Sequence, residues 1–228
     1  MTNVLFVISK EEIMKATREM VKNAPSGEVL EINPFVNLDS VMGIALAYQK
    51  AFSGKPWNEG YLCPVCKTSY SRDGGNWSMC PECLYSNRLR VRLVEYWPID
   101  KILTDFYQEM SKPGAVCVIM QVRHNVFAFA WGYEVKSNKS LDKYLEAPDL
   151  HKLVKGNFLY LDECAVVPKQ QNKGCGKKLV KAFLQKAKKS EKSVLLRTMK
   201  GEAMHRIITG LGGEIVQDIS RGRIIMTI

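Results

Sequence analysis

Hydrophobic and polar positions follow two different periods along the chain, and together they predict a mixed α/β order. Apolar residues at helical spacing predict helices over 10–23, 37–52, 89–97, 98–111, 174–189 and 202–211. Short apolar runs bounded by turn residues predict strands over 3–8, 28–36, 114–122, 125–134, 158–167, 193–199, 214–219 and 221–228. The two-residue gap between 114–122 and 125–134 predicts a hairpin. The polar stretch 135–157 is expected to be a long loop with one helical turn.

Composition changes at 53–88, where Gly, Ser, Asn, Pro and Cys replace aliphatic residues. Cys63-Pro-Val-Cys66 and Cys80-Pro-Glu-Cys83 lie in this stretch, thirteen residues apart. Two such pairs can form a tetrahedral site for Zn²⁺, and four protein ligands leave no open position, so the predicted zinc is structural. A redox dithiol needs one pair rather than two, and unpaired structural thiols are the other alternative. The stretch resembles a zinc ribbon inserted between two helices.

The hydropathy pattern excludes a membrane span, since no apolar run approaches the ~18 residues that a spanning helix needs. The first residues, MTNVLFVISKEE, lack the basic region and the small-residue cleavage site of a signal peptide. We therefore expect a cytoplasmic protein without membrane association. Seven cysteines in such a chain argue against a disulfide framework.

The charge balance is basic, with a formal net charge of +10. This charge permits nucleic acid, an acidic protein or a polyphosphate as partner, without choosing among them. Residues 169–200 hold eleven Lys and Arg and one acid. The apolar residues between them form the core-facing side of a helix, so most of these lysines are its solvated face. A nucleic-acid groove would need exposed aromatic rings among the basic residues, and this run has only Phe183, on the apolar face. Nucleic acid is therefore not the favoured partner.

A glycine-rich turn opens the helix predicted at 174–189. The segment AVVPKQQNKGCGKKLVKAFL, residues 165–184, runs from a strand through Gln171-Asn-Lys-Gly174-Cys-Gly176 into an amphipathic pattern. Glycine lets a ligand approach the backbone amides closely, and the unpaired N–H groups of a first helical turn attract phosphate. The spacing is neither that of the P-loop nor that of the dinucleotide fingerprint. An ordinary strand–turn–helix without a ligand is the alternative.

The segment matches Q/R-x-x-G-x-G/A and resembles the acyl-CoA loop of the GNAT superfamily of N-acetyltransferases. The order of elements resembles the same family over 28–52 and 98–228. The resemblance implies a GNAT-like mixed central sheet flanked by helices, in a domain at 25–228 that a ribbon at 57–90 interrupts. Residues 1–24 would be an N-terminal extension.

The resemblance implies acetyl-CoA as cosubstrate and an amine-bearing small molecule or protein as acceptor. The pantetheine arm would pair with the end of the strand, and the loop amides would hold the pyrophosphate. The residues so implied are Ala165, Val166, Val167, Gln171, Asn172, Lys173, Gly174, Cys175, Gly176 and Lys177. The Val166 N–H is a candidate donor to the oxygen of the tetrahedral intermediate.

Strand alternation assigns the side chains of 160–165 to two faces. It predicts one face with Tyr160, Asp162 and Cys164, and another with Leu161, Glu163 and Ala165. Some members of the family use a glutamate of this strand as general base, and the matching position in this chain is Tyr160. Asp162 shares that face and Glu163 is adjacent, so all three are catalytic candidates. A solvated or ion-paired carboxylate is the alternative for each acid.

Many members of the family use a tyrosine to protonate the leaving thiolate. The matching position in this chain is Ile208, so the chain departs from the family's pattern. His205, one turn earlier, is the candidate substitute, with an exposed structural histidine as the alternative. Trp57 and Glu59 are substrate-site candidates, since the resemblance puts this segment on the acceptor side. Trp57 packing the ribbon onto the core is the alternative.

The sequence favours an acetyl-CoA-dependent N-acetyltransferase that acts by direct attack in a ternary complex. Two other functions remain open. One is a zinc-ribbon module that binds nucleic acid or protein on a non-catalytic fold of this kind. The other is a regulator that senses acyl-CoA without turnover.

Overall fold

The computed structural model describes residues 28–55, 57–74, 78–123 and 125–228. The elements predicted at 3–8 and 10–23 lie outside these residues. The described strands are β1 (Val29–Glu31), β2 (Tyr61–Leu62), β3 (Ser69–Tyr70), β4 (Val94–Glu95), β5 (Val116–Val122), β6 (Asn125–Lys136), β7 (Asn157–Val166), β8 (Ser193–Met199), β9 (Glu214–Asp218) and β10 (Arg223–Thr227). The described helices are α1 (Leu38–Phe52), α2 (Pro81–Asn87), α3 (Ile99–Met110), α4 (Lys139–Leu145), α5 (Leu150–Leu153), α6 (Cys175–Lys189) and α7 (Ala203–Thr209).

The strands form a large sheet and a small one, which confirms the predicted mixed α/β class. The large sheet has the order β1-β5-β6-β7-β8-β10-β9, and the small sheet has the order β3-β2-β4. Neighbours in the large sheet are antiparallel except β7 and β8, which are parallel. The strand–helix–strand crossover through α6 accounts for that parallel pair.

Helices cover both faces of the large sheet. On one face α1 and α3 bury Phe129 and Trp131 of β6. On the other face α6 and α7 bury Leu159 and Leu161 of β7. A third apolar cluster lies under α4 and α5, around Tyr160. The large sheet therefore separates two cores, and residues of one strand reach either core by alternation.

Two local predictions were wrong. The predicted loop at 135–157 contains α4 and α5, whose apolar side chains cover the sheet. The predicted helix at 89–97 is extended and ends in β4, because Val91 and Leu93 pack on the cysteines while Arg92 faces solvent. The small sheet thus reaches Glu95, beyond the ribbon end expected at residue 90.

The parallel strands β7 and β8 separate along their length. They pair only from Phe158–Leu161 to Ser193–Leu196. Residues 163–166 of β7 pair with β6 on one side, and residues 162–166 pair with no strand of the described parts of the chain on the side of β8. One edge of β7 is therefore open where its carboxyl end approaches α6.

Candidate active site

A β-bulge in β7 brings two carboxylates to the same face of the sheet. Leu161 lies opposite Gly132 and Glu163 lies opposite Trp131, so Asp162 is the extra residue. A bulge of this kind reverses the side-chain alternation after it. The predicted faces hold for Tyr160, Leu161 and Asp162 and are wrong from Glu163 onward. Asp162 and Glu163 both face α1 and α3, which is shown by their hydrogen-bond partners described below.

Gly132 makes the bulge possible. A Cβ at this position would lie 1.9 Å from the Tyr160 carbonyl oxygen and 2.7 Å from the Phe183 ring. No side chain fits that approach, so the glycine permits β6 and β7 to come together at the irregular register. The position of the two carboxylates thus depends on a residue in the neighbouring strand.

Glu163 is half-buried beneath an aromatic cluster. The Tyr48 hydroxyl of α1 donates to Glu163 Oε1 at 3.2 Å. The Tyr48 ring lies 5.9 Å from those of Phe129 and Trp131, nearly parallel to both. Burial, together with the neighbouring charges of Asp162 and Glu109, raises the pKa of Glu163 to about 8. A carboxyl with such a pKa exchanges protons in the physiological range.

Asp162 and Glu109 form a second pair of acids beside Glu163. Trp131 Nε1 donates to Glu109 Oε2 at 2.5 Å. The Tyr144 hydroxyl lies 3.4 Å from both oxygens of Asp162. Burial and the neighbouring Asp162, which shares a hydrogen bond with it, raise the pKa of Glu109 to about 8. The charges of Asp162 and Glu109 both contribute to the raised pKa of Glu163.

Glu59, one of the predicted substrate residues, joins Glu109, Asp162 and Glu163 in an acidic group. Trp97 Nε1 donates to Glu59 Oε2 at 2.7 Å. The charge of Glu59 contributes to the raised pKa of Glu163 and of Tyr48, so these groups are close. Trp57 is 47% exposed, with its ring 5.6 Å from that of Phe52 at the end of α1. Trp57 thus lies at the surface, next to the end of α1.

Of the other two catalytic candidates, Tyr160 is buried beside the carboxylates and His205 lies on the opposite face of the sheet. Tyr160 is 2% exposed, and its ring meets those of Tyr133 and Tyr144 edge-on within the core. His205 lies on α7, which packs on the opposite face of the sheet, and its Nδ1 accepts from the Gly201 N–H at 3.0 Å. Ile208 is fully buried there. We therefore do not retain Tyr160 or His205 as groups that act on substrate.

The glycine-rich loop has the geometry that its sequence predicts. Gly174 precedes α6 with φ of +79° and Asn172 has φ of +60°, both in the left-handed region. No side chain caps the first turn of α6, and its first intrahelical hydrogen bond goes from Lys178 N to Gly174 O. The amides of Cys175, Gly176 and Lys177 are thus turned toward the loop without an intrahelical acceptor.

Hydrogen bonds of two glutamine side chains hold this loop in place. Gln170 is buried and accepts a hydrogen bond from Lys173 Nζ at 3.0 Å. Gln171 Nε2 donates to the Val166 carbonyl oxygen at 3.0 Å. The latter contact joins the loop to the end of β7.

The Val166 amide faces the open edge of β7. The next amide, that of Val167, donates to Phe127 O across the sheet at 2.9 Å. Successive amides of a strand point to opposite edges, so the Val166 N–H points toward β8, where pairing has ended. Ala165 and Val167 pack toward the core of α1 and α3.

The four paired cysteines meet in the small sheet. Their Sγ atoms all lie within 4.8 Å of one another, with Cys63 to Cys83 at 3.7 Å and Cys66 to Cys80 at 3.5 Å. Four thiolates at about 2.3 Å from one tetrahedral Zn²⁺ would lie about 3.8 Å apart. The Cys66 and Cys83 amides each donate to a cluster sulfur at 3.4 Å. This arrangement fits a tetrahedral metal, with three cysteines buried and Cys66 exposed.

The sequence patterns did not single out Tyr48, Trp97, Glu109, Trp131 and Tyr144. Only Glu109 carries a clear signal. It follows Ile102 and Phe106 at helical spacing, with buried Met110 beside it, so an acid occupies a position on the apolar side of α3. The four aromatic residues have the hydrophobic patterning of ordinary core positions.

Comparison with known proteins gives the family of this chain. A model of the acetyltransferase (GNAT) family matches residues 84–207, more than half of the chain. The chain therefore belongs to the GNAT acetyltransferase family. A comparison with curated proteins finds no significant match.

Solved structures share the fold. PH1933 from Pyrococcus horikoshii OT3 is 15% identical, with a TM-score of 0.52 over 88% of this chain and 96% of that one. PaiA N-acetyltransferase from Thermoplasma acidophilum, in complex with coenzyme A, is 12% identical, with a TM-score of 0.48 over the same shares. Aminoglycoside 6'-acetyltransferase type Ii has the same identity, score and shares. Only the first of these scores carries weight for the fold.

No helix in the described parts of the chain combines the length and apolar character that crossing a bilayer requires.

Proposed function

We propose that the protein is an N-acetyltransferase that transfers the acetyl group of acetyl-CoA to a primary amine by direct attack in a ternary complex. The observation that carries this proposal is the open edge of β7 at 162–166. It lies between the carboxylates at the bulge and the glycine-rich loop. A cosubstrate bound along this edge would have its phosphates at the loop and its thioester near Glu163.

The loop supports binding of a diphosphate. The free amides of Cys175 to Lys177 at the start of a fifteen-residue helix attract anions. Exposed Lys169, Lys173 and Lys177 add positive charge around them. The backbone of Ala165 to Val167 would pair with the pantetheine amides like an added strand.

Glu163 is our candidate for the general base. An alkylamine with a pKa near 10.4 is protonated at neutral pH, and freeing it costs roughly 4 kcal/mol. Glu163, with a pKa raised to about 8, accepts that proton more readily than an ordinary carboxylate does. Asp162 lies beside it and would attract the cationic amine.

Attack on the thioester carbonyl produces a tetrahedral intermediate with an oxyanion. The Val166 N–H, which points toward the open edge, is the candidate donor to that oxygen. Collapse of the intermediate breaks the carbon–sulfur bond and releases the CoA thiolate. Since Ile208 is buried where the family's tyrosine acid falls, we propose that the thiolate leaves without a dedicated acid from α7.

We further propose that Cys63, Cys66, Cys80 and Cys83 hold one structural Zn²⁺. The sulfur separations and the amide–sulfur hydrogen bonds support this set. The small sheet has strands of two residues and an apolar cluster that consists mainly of the cysteines. A bound metal would supply the stability that this core lacks, with roughly 10–16 kcal/mol of apparent binding free energy.

Calorimetric titration of the zinc-replete protein with acetyl-CoA tests the proposed function. We expect micromolar binding, followed by amine-dependent release of CoA in a panel of primary amines. Folded, zinc-replete protein that binds no acetyl-CoA would overturn the proposal. Binding without turnover by any amine would instead favour a protein that senses acyl-CoA.

A further inference from the structure

The ribbon, defined here as residues 60–96, joins the main domain at two ends that carry side chains of the acidic group. Glu59 precedes the ribbon and Trp97 follows it. Trp97 Nε1 donates to Glu59 Oε2 at 2.7 Å, and Tyr96 N donates to Gly60 O at 3.3 Å. These two contacts close the base of the ribbon.

Gln49 of α1 holds this base against the main domain. Its buried amide nitrogen donates to Trp97 O at 2.7 Å and to Glu95 Oε2 at 3.3 Å. The other oxygen of Glu95 accepts from the Arg72 guanidinium at 2.8 Å. Arg72 follows β3 and Glu95 ends β4, so two strands of the ribbon share this anchor with α1.

Trp97 connects the ribbon to both ends of the acidic group. It fixes Glu59 directly through its indole N–H. Its ring meets the Tyr48 ring edge-on, with centroids 5.3 Å apart, and Tyr48 donates to Glu163. Movement of the ribbon base would therefore displace Glu59 and release the group that orients Glu163.

The hydrogen bond from Trp97 also affects the charge of Glu59. Burial raises the pKa of Glu59, while the Trp97 N–H and the charge of Lys101 lower it. Without the indole N–H, the carboxyl would take up a proton at a higher pH. A neutral Glu59 attracts a cationic amine less strongly.

The cosubstrate features lie on other elements. The glycine-rich loop and the open edge belong to β7 and α6, whereas the ribbon base contacts α1. A change at the ribbon base should therefore alter binding of the acceptor and leave binding of acetyl-CoA intact.

We propose that Trp97 is a positioning residue of the acceptor site and that the four-cysteine ribbon is the element that holds it in place. Through Trp97 the ribbon orients Glu59 and Tyr48 beside Glu163, so the ribbon sets the affinity for the amine. This inference rests on the proposed function and assigns the ribbon a role in that same site.

Steady-state kinetics of Trp97→Phe test the inference, since phenylalanine keeps a ring and removes the N–H donor. The acceptor is the amine with the highest kcat/KM in a panel of butylamine, spermidine and a lysine peptide. We expect its KM to rise at least about tenfold, with kcat within about threefold of wild type. Acetyl-CoA affinity by calorimetry should stay within about twofold.

Companion variants separate positioning from general damage. Glu59→Gln should raise the acceptor KM to a similar extent. The double variant Glu59→Gln/Trp97→Phe should show little further rise, because the two residues act through one contact. Tyr85→Ser, at a ribbon position 84% exposed on α2, should match wild type. Release of zinc by a strong chelator should raise the acceptor KM as Trp97→Phe does, with acetyl-CoA affinity retained.

Three outcomes would overturn the inference. An unchanged acceptor KM in Trp97→Phe would show that the indole N–H positions nothing. Equal losses of acceptor and acetyl-CoA binding would indicate general misfolding instead. If wild type binds acetyl-CoA but no amine in the panel is acetylated, the catalytic proposal fails and the inference fails with it.

Discussion

Tyr48 and Glu163 join α1 to the bulge of β7 through a hydrogen bond of 3.2 Å between the tyrosine hydroxyl and Oε1. Tyr48 belongs to the aromatic cluster on the sheet, and Glu163 belongs to the acidic group. The contact orients a half-buried carboxyl whose pKa is raised to about 8. Packing of α1 thus determines where the proposed base points.

Replacing Glu163 with Gln should remove the proposed base without removing its hydrogen-bond acceptor for Tyr48. We expect kcat/KM for an alkylamine to fall about 10²–10⁴-fold. Wild-type kcat/KM should rise with pH through about 8, since the base acts when deprotonated. In Glu163→Gln this rise should vanish, leaving only the dependence that the amine's own ionisation imposes.

The matched control for this variant is Asp162→Asn, which changes the neighbouring carboxyl at the bulge. If Glu163 is the base, Asp162→Asn should keep the rise of kcat/KM with pH. The rise should shift to lower pH, because the Asp162 charge that raises the pKa of Glu163 is lost. A wild-type profile in Glu163→Gln, together with a lost rise in Asp162→Asn, would assign the base to Asp162.

Gly174→Glu should weaken acetyl-CoA binding by more than about tenfold, because it puts a negative charge at the helix start that attracts phosphate. The change also strains a residue with φ of +79°. Gly156→Glu is the matched control, since Gly156 has φ of +97° and, like Gly174, open space around its Cβ position. Equal affinities in the two variants, measured by calorimetry, would contradict the proposed phosphate site.

Glu109→Gln should change how stability depends on pH. The pKa of Glu109 is raised in the fold from 4.5 to about 8, so the folded state binds more protons than the unfolded state between these values. The free energy of unfolding therefore decreases as pH rises through that window. Removing the carboxyl should flatten this decline, so Tm at pH 9 should exceed that of wild type by about 2 °C or more. Thermal scans at pH 5 and pH 9 check it, and equal differences at both would contradict it.

The helices and strands of the main domain were predictable because the local hydrophobic periodicity encodes them. The strand at 193–199 has the predicted bounds, and α6 begins one residue after the predicted start. The glycine-rich loop was predictable for a related reason, since Gly174 and Asn172 occur where left-handed backbone is needed. The cysteine spacing likewise indicated the four-sulfur cluster that the structure brings together.

The face of Glu163 was not predictable, because strict alternation holds only in a regular strand. The bulge depends on Gly132, which belongs to another strand and has no local signal for its pairing register. The contacts of Tyr48 and Trp97 depend on tertiary packing between segments far apart in the chain. In the segment 89–97, tertiary packing of Val91 and Leu93 on the cysteines overrode the helical spacing.

Gly132→Ala should disrupt the bulge, because the new Cβ would meet the Tyr160 carbonyl oxygen at 1.9 Å. Backbone cannot yield as a flexible side chain does, so we expect a loss of about 3 kcal/mol or more in the free energy of unfolding. Denaturant unfolding measures this loss. Gly201→Ala is the control for glycine replacement, since its Cβ position is open and its φ of +84° should cost only about 1–2 kcal/mol. A Gly132→Ala protein with wild-type stability and activity would show that the bulge does not need the glycine.

Cys83→Ser should lower the zinc content of the purified protein well below one ion per chain, because a buried thiolate ligand is lost. Cys117→Ala is the matched control, since Cys117 is equally buried but lies in β5 of the large sheet. Elemental analysis should therefore find about one zinc per chain in wild type and in Cys117→Ala. Retention of a full equivalent by Cys83→Ser, or its absence from wild type refolded with zinc, would refute a four-cysteine zinc site. Because the ribbon holds Trp97, we also expect the acceptor KM of Cys83→Ser to rise while its acetyl-CoA affinity stays near that of Cys117→Ala.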